Sequence, residues 1–365
     1  MLTDPPAEDE FEVSIFGPGK GESIVVHLGQ NEWIIVDSCI DQVDGSNPAL
    51  RYLEQLGVDS SSVLLVVATH AHDDHFAGIA EVFRVCERSS FVCSPAVVSE
   101  EFYALTEIDE ELERLMRASA LSEYRKVIQH VEDRGRSAIG LKSMVRASNG
   151  KTLVKRRQSD LPMTVTALSP SDEAVTRALK SLARGAASIG ERLRLPAHDP
   201  NELAIALWVE VGECAALLGA DLLKGPAGCG WGAVLAEFTP DFPASLHKVP
   251  HHGSPNAHHD EVWATLLEGA PVALLAPYRG GRTYRPAQAD RERICGLTDK
   301  AFVTASPDLP KPRRAVKTTA AALGPLAMRV HEPWGRSGQI RARRSPDDRA
   351  WRIDLSETAR PLCSP

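Results

Sequence analysis

The sequence predicts an α/β fold in which two β-sheets pack together with helices outside. Three observations carry this. Strand patterns come first and then mix with helical ones, and that order occurs twice along the chain. VLLVVAT is short, apolar and rich in valine, as in a buried strand, and PVALLAP and AFVTAS repeat the pattern late in the chain. Clusters of titratable residues stand where such strands end, where loops carry sites. This order argues against a doubly wound parallel sheet.

The elements follow in turn. Residues 1–10 are a lead-in. FEVSIFGPGKGESIVVHLGQNEWIIVDSC reads as three strands, with turns at Gly17 to Gly21 and at Gly29-Gln30-Asn31. NPALRYLEQLGV places Leu50, Leu53 and Leu56 on one helical face, with Gly57 near its end. After VLLVVAT, FAGIAEVFRV spaces Phe76, Ile79 and Phe83 as a helix does, and FVCSPAVV is another strand. The charged stretch of about 99–147 predicts a helical insert. MTVTALSP is a strand and DEAVTRALKSLARGAASIGERL a helix. LAIALWVEVGECAALLGAD makes two strands around Gly212, and SLHKVPHHGS is a strand running into a second histidine cluster. One domain is expected over 11–310, followed by a basic, irregular extension over 311–365. No internal repeat or low-complexity segment occurs.

The chain of 365 residues is 43% hydrophobic and 25% charged, a globular composition with room for a sizeable core. Its formal net charge of −8 argues against a broad nucleic-acid footprint but not against a local basic groove. The 7 cysteines form no CxxC pair, so the expectation is free, buried thiols in a reducing compartment. MLTDPPAEDEFEV has neither the basic nor the apolar region of a signal peptide, and no run approaches the roughly 18 apolar residues that span a bilayer. A cytoplasmic protein with no membrane partner is expected.

THAHDDHFAG places His70, His72, Asp73, Asp74 and His75 in the loop between a strand and a helix. A capping role explains one aspartate. It does not explain three histidines near a helix N-terminus, where the dipole disfavours protonated imidazole. A bound cation does, because a metal keeps its imidazole ligands neutral. His70 and His72, two apart in extended chain, can point to one side, while Asp74 and His75 turn toward a neighbouring position. Two pairs suggest two metals. Asp221 closes the apolar strand ALLGAD, and His251 and His252 close another, so all three become candidate ligands.

These residues resemble a known family. HAHDDH matches the HxHxDH signature of metallo-beta-lactamase fold hydrolases, with Thr69 and Gly78 also in pattern. Asp37 matches that fold's early strand-end aspartate, Asp221 its bridging aspartate, and His251/His252 its late histidine. GPGKGESIVV is similar to the GQGDS-type opening, and LHKVPHHGS to the KxxHHGS segment, of the hydrolase domain of bacterial competence DNA-uptake channel proteins. NELAIAL from Asn201, and RPAQADRERI followed by AFVTAS, also resemble that branch. The likeness spans about residues 11–306. It implies an αββα sandwich of two packed mixed sheets with outer helices. It further implies His70 and His72 on one metal, Asp74 and His75 on the second, and Asp221 between them. One of His251 and His252 would complete the second site, and the other would donate a hydrogen bond to substrate or leaving group. Asp37 would orient a ligand histidine, and Asn201 and Ser254 would touch substrate.

The sequence departs from most relatives in one respect: a further histidine ligand on the first metal is missing unless His130 or His198 supplies it. The competence branch lacks it as well, which favours an open first site. Nitrogen and oxygen ligands suit two Zn2+, or Mn2+. Two such ions about 3.5–4 Å apart can hold a bridging hydroxide as nucleophile, with Asp74, His251 and His252 nearest the chemistry. Ser38 and Cys39 are then not needed as nucleophiles. The branch resemblance implies a phosphodiester substrate, and so a phosphodiesterase or nuclease. Arg279, Arg282 and Arg285, interleaved with Tyr278 and Tyr284, are candidates to grip phosphate and stack bases. The KRR run at 155–157 and the RARR run at 341–344 are fainter candidates. Two other readings stand beside this one: a small-molecule ester, thioester or lactone hydrolase, and a partner-regulated effector of weak intrinsic activity. The helical insert is the candidate cap or protein-partner surface.

Overall fold

The computed structural model describes residues 2–17, 21–41, 43–98, 120–136, 144–188, 200–278, 284–305, 337–356 and 358–363. Two mixed eight-stranded sheets form the centre, as the αββα expectation requires. The first sheet runs in the order β15-β14-β1-β2-β3-β4-β5-β6, from β1 (Phe11–Gly17), β2 (Ser23–Leu28), β3 (Trp33–Val36), β4 (Val63–Val67), β5 (Ser90–Cys93), β6 (Met144–Arg146), β14 (Gly338–Arg344) and β15 (Arg352–Leu355). The second runs β16-β13-β12-β11-β10-β9-β8-β7, from β7 (Lys151–Arg156), β8 (Met163–Ala167), β9 (Leu207–Val211), β10 (Cys214–Leu218), β11 (Ala244–Lys248), β12 (Leu267–Leu275), β13 (Ala301–Val303) and β16 (Arg360–Pro361).

Alternation along the strands builds the layers. Leu65 and Val67 of β4 face the second sheet, where Val165, Leu207, Val209, Leu218, Leu246 and Leu274 meet them. Val66 and Ala68 point the other way, into an outer layer with Tyr52, Phe76, Ile79 and Phe83. A matching outer layer on the second sheet gathers Trp208, Trp231, Val234, Trp263 and Ile294. Those layers hold α1 (Pro48–Gln55), the single turn α2 (Asp73–Phe76), α3 (Ile79–Val85), α4 (Ala120–Arg136), α6 (Gly230–Glu237) and α7 (Gln288–Cys295), while α5 (Asp172–Ser188) packs Ala174 and Ala178 in a smaller cluster with Ala96, Leu203 and Cys229. Strands β3 to β6 run parallel, as do β10 to β13. Parallel strands deliver their C-terminal ends to one edge, which is where sites form in α/β sheets.

Four expectations are corrected. First, the tail is not an irregular extension. β14 pairs antiparallel with the whole of β1, from Phe11↔Arg344 to Gly17↔Gly338, and β16 pairs with β13 in the other sheet. Second, RARR is not a free basic surface. Arg343 is 1% exposed and pairs with Glu12 (2.6 Å) and Asp4 (3.0 Å), while Arg341 pairs with Asp4 and Asp354, both at 2.8 Å. In KRR, Arg156 pairs with Glu32. Third, the described part of the insert is no cap over the histidines. Tyr124 of α4 packs on Phe76 at 4.1 Å, and Arg134 lies 3.7 Å over the Phe83 ring while donating to Ser89 O, so α4 belongs to the outer layer. The stretch read as insert also contributes β6 to the first sheet. Residues 99–119 and 137–143 lie outside the described residues. Fourth, not all cysteines are free: Cys295 and Cys363 form a disulfide that ties the chain end to α7, while Cys39, Cys86, Cys93, Cys214 and Cys229 are free and buried. Among the described residues no helix is long and apolar enough to cross a membrane.

The buried pairing between β1 and β14 is testable. Arg343→Ala leaves the Glu12 carboxylate buried without its ion partner, which costs about 3–5 kcal/mol. Chemical denaturation should show a midpoint lowered accordingly, with the secondary structure of the surviving fold unchanged.

Candidate metal centre

Five segments meet at one edge of the sandwich. They are the turn before β2, the end of β3, the loop from β4 into α2, the loop after β10 and the loop after β11. The backbone there is bent out of ordinary conformations. Asp37, Ala220, His251 and His252 all have positive φ (59°, 46°, 49° and 54°), a conformation that strains non-glycine residues and collects at functional sites. Gly21 allows the closest approach. A Cβ there would stand 2.5 Å from Asp74 O, while the next residue, Glu22, donates its N–H to that same oxygen at 2.9 Å. Ile205 N donates to Thr69 O at 3.1 Å and so joins the two sheets beside the site.

The side chains converge on Asp221. Its Oδ2 lies 3.3 Å from His75 Nε2, 3.6 Å from His252 Nε2, 3.9 Å from His70 Nε2 and 4.0 Å from His251 Nε2. Asp74 Oδ2 is 3.3 Å from His252 Nε2 and 3.9 Å from His75 Nε2. His72 Nδ1 stands 3.2 Å from His70 Nε2 and is half-buried, toward the open side. His70, His75 and Asp221 thus form one group of a kind that could hold an ion, and Glu22, His75 and His252 form a second.

The ligand edges are prepared from behind. Asp37 accepts from Thr69 N (2.8 Å) and Thr69 Oγ1 (2.7 Å) and stands 2.8 Å from His75 Nδ1. That bond puts the His75 proton on Nδ1 and leaves Nε2 free as a ligand atom. His252 Nδ1 donates to Ala276 O at 3.0 Å, with the same result. The structure therefore separates the two neighbouring histidines. His252 is 2% exposed, aims Nε2 at Asp74 and Asp221, and stacks on Tyr278 at 5.3 Å. His251 sits at the rim, 23% exposed, with Nδ1 held by Asn256 Oδ1 at 3.0 Å.

Two members of the site were not singled out from the sequence. Glu22, in GPGKGES, and Lys248, in LHKVPHHGS, form an ion pair with both side chains at most 1% exposed. Lys248 Nζ also donates to Ala220 O at 2.8 Å and lies 3.7 Å from Asp221 Oδ1. The signal was a lysine in a strand whose five residues are all buried.

The electrostatics call for cations. Among the described residues, Glu22, Asp37, Asp74 and Asp221 share this space with one ammonium, that of Lys248. Burial alone would raise the Asp221 carboxyl, but His75, His252 and Lys248 hold it well below the usual carboxylate range. Asp74 is likewise lowered, burial being outweighed by His75 and His252. Burial would lower His75, yet Asp221, Asp37, Glu22 and Asp74 push it well above the ordinary imidazole value, and His252 is raised in the same way. His70 goes the other way, lowered by burial and by the charge of His75. Without an ion, then, protons gather on two imidazoles among carboxylates, where a metal would stand in for them. Among the described residues, His75 Nε2 and His252 Nε2 are buried with no hydrogen-bond partner, which is costly unless something binds there. This set of nitrogen and oxygen donors fits zinc or manganese.

The remaining expectations divide. Asn201 and Ser254 are both buried, and Ser254 N donates to His251 O at 2.8 Å. Arg285 is not free to grip a ligand: it pairs with Asp290 at 2.7 Å, at the start of α7. Arg279, Arg282 and His198 lie outside the described residues. His130 is on α4, near Glu81 and away from this edge. Ser38 Oγ donates to Ala77 O at 2.7 Å, and burial raises the Cys39 thiol well above its ordinary value, so neither is poised as a nucleophile.

Residues 16–114 match the family model of the metallo-beta-lactamase superfamily. Among solved structures, the chain is similar to the metallo-beta-lactamase fold protein YhfI from Bacillus subtilis, at 13% identity over 82% of this chain and 96% of that one, TM-score 0.38. It is also similar to MEM-A1, a subclass B3 metallo-beta-lactamase from a soil metagenome library, at 13% identity over 69% and 83%, TM-score 0.31. No curated protein matches the sequence. The matched segment supplies Glu22, Asp37 and the whole of HAHDDH, so this part of the site lies within the residues that match the metallo-beta-lactamase superfamily, whose members are metal-dependent hydrolases.

Proposed function

We propose that the protein is a two-metal phosphodiesterase or nuclease. The observation that carries the two-metal part is the convergence of four imidazole Nε2 atoms on the single oxygen Asp221 Oδ2. His70, His72 and Asp221 would hold one ion. Asp74, His75, His252 and Asp221 would hold the other. When bound, the ions would supply an activated water and would stabilise the negative charge that develops on a phosphoryl oxygen. The protein fixes the ligand edges through Asp37 and Ala276, and leaves His251 at the rim, with Nδ1 donating to Asn256 Oδ1 and Nε2 turned toward Asp221.

The phosphodiester preference rests on the likeness of GPGKGES and KVPHHGS to the DNA-uptake branch, and on the chain at the rim. Tyr278 stacks on His252 and is bridged to Arg285, and Arg279 and Arg282 fall between those two positions in the sequence. The test is incubation of Zn2+- or Mn2+-loaded protein with single- and double-stranded DNA, RNA and bis-p-nitrophenyl phosphate. Cleavage is expected, and is expected to fall to background in the His72→Ala and Asp74→Ala variants. Lactone or thioester opening without any phosphodiester turnover would overturn the substrate class while leaving the metal centre intact.

A further inference from the structure

We propose that Lys248, anchored by Glu22, is a positioning residue that restrains Asp221 so that only its Oδ2 is offered to the metal-binding histidines. The inference rests on the two-metal reading above and concerns how that centre is kept able to hold two ions.

The two oxygens of Asp221 have different surroundings. Four imidazole nitrogens lie around Oδ2 within 3.3–4.0 Å, whereas Oδ1 faces the Lys248 ammonium at 3.7 Å. The sheet produces this arrangement. β10 and β11 run parallel with Leu218 opposite Lys248, so the lysine side chain lies beside the turn that carries Asp221 three residues later. That turn needs an anchor, because Ala220 is at φ 46°. Its carbonyl accepts from both Lys248 Nζ (2.8 Å) and His251 N (3.0 Å), and Gly219 N donates to Lys248 O at 3.1 Å. One lysine thus holds the backbone before Asp221 and the outer edge of its carboxylate.

Glu22 belongs to the same device and is not itself a ligand. Its oxygens lie 3.7 Å from His75 Nδ1 and 3.6 Å from His252 Nδ1. Those nitrogens are already engaged by Asp37 and Ala276 O, and the ligand-side Nε2 atoms face the other way. Glu22 therefore stands behind the centre, where it fixes the ammonium. A fully buried ion pair contributes little net stability against an apolar pair of equal volume. A place where it controls the shape of a charged site is where such a pair has an effect. Without the ammonium, Asp221 can rotate to give both oxygens to one ion, and the second ion loses its shared ligand.

The full chain is stripped with chelator, checked by circular dichroism, and titrated with Zn2+ by calorimetry and with Co2+ by visible absorption. Wild type is expected to take two equivalents. Lys248→Met should keep one tight equivalent, bind the second about tenfold or more weakly, and shift the Co2+ bands of the first toward higher coordination. Glu22→Gln keeps the ammonium beside Asp221 and should retain both equivalents. The double variant Lys248→Met/Glu22→Gln leaves no unpaired buried charge, so it should fold and still show the loss seen in Lys248→Met. A purely structural lysine would lower the melting temperature without altering the Co2+ spectrum. A folded double variant with two tight equivalents and a wild-type Co2+ spectrum overturns the role given to Lys248. A wild type that takes fewer than two equivalents overturns the two-metal reading, and this inference with it.

Discussion

Asp221→Asn is expected to abolish two-metal binding and any hydrolysis while leaving the fold in place. The change is nearly isosteric but removes the charge and one acceptor oxygen, and the amide group it introduces would turn N–H donors toward imidazole nitrogens or Lys248. In the wild-type site four Nε2 atoms lie within 4.0 Å of Asp221 Oδ2, so no neighbouring carboxylate can reach the same set. Among the described residues, Asp74 lies within 4.0 Å of the imidazoles of His75 and His252 only. A ligand that binds only the folded state stabilises it by about 2.7 kcal/mol at a hundredfold excess over its dissociation constant. Wild type should therefore melt higher with Zn2+ than without it, and Asp221→Asn should show little or none of that increment. Elemental analysis of the dialysed proteins gives the independent check, and retention of two metals per chain in the variant would refute the bridging role.

The fold was legible because its signals are local. HAHDDH, the strand-end Asp221 and the HHGS turn each announce themselves by composition, and the strands that carry them, VLLVV, CAALL and ASLHK, are buried almost throughout. Asp37 was legible as a strand-end acid, and the structure puts it against His75 Nδ1. What could not be read depends on register or on distant partners. Lys248 matters because Leu218 stands opposite it across a parallel pair, and Glu22 because Gly21 brings it under the Asp74 carbonyl. RARR looked like surface because basic runs usually are. Its burial depends on Asp4, Glu10 and Glu12, more than three hundred residues earlier in the chain. The choice between His251 and His252 turned on which imidazole had a carbonyl behind it, and spacing carries no trace of Ala276 O.

The stability of the metal-free protein is expected to peak near the ordinary histidine pKa, about 6.5, and metal should abolish the decline on the alkaline side. The sign follows from linkage. His75 and His252 have raised values in the folded protein. Their contribution is complete below about 6.5 and is lost as pH climbs through the folded values, because the folded state then gives up protons held among Asp221, Asp74, Asp37 and Glu22. On the acid side, burial lowers His27 to about 4 and His247 to about 3. Each favours unfolding as pH falls from about 6.5 toward its folded value, since the unfolded chain takes up the proton first. His70, lowered by burial and by His75, acts in the same direction. Asp221 and Asp74, both lowered, add their loss only in stronger acid, below the usual carboxylate range. Zn2+ changes the alkaline limb alone. It replaces the protons on the ligand imidazoles, so its apparent affinity rises with pH and the loaded protein should gain stability where the free protein loses it. Melting temperatures measured across this range, with chelator and with Zn2+, should diverge steadily above neutrality. Parallel curves on the alkaline side would mean that metal and protons do not compete for His75 and His252, and would remove both residues from the ligand set.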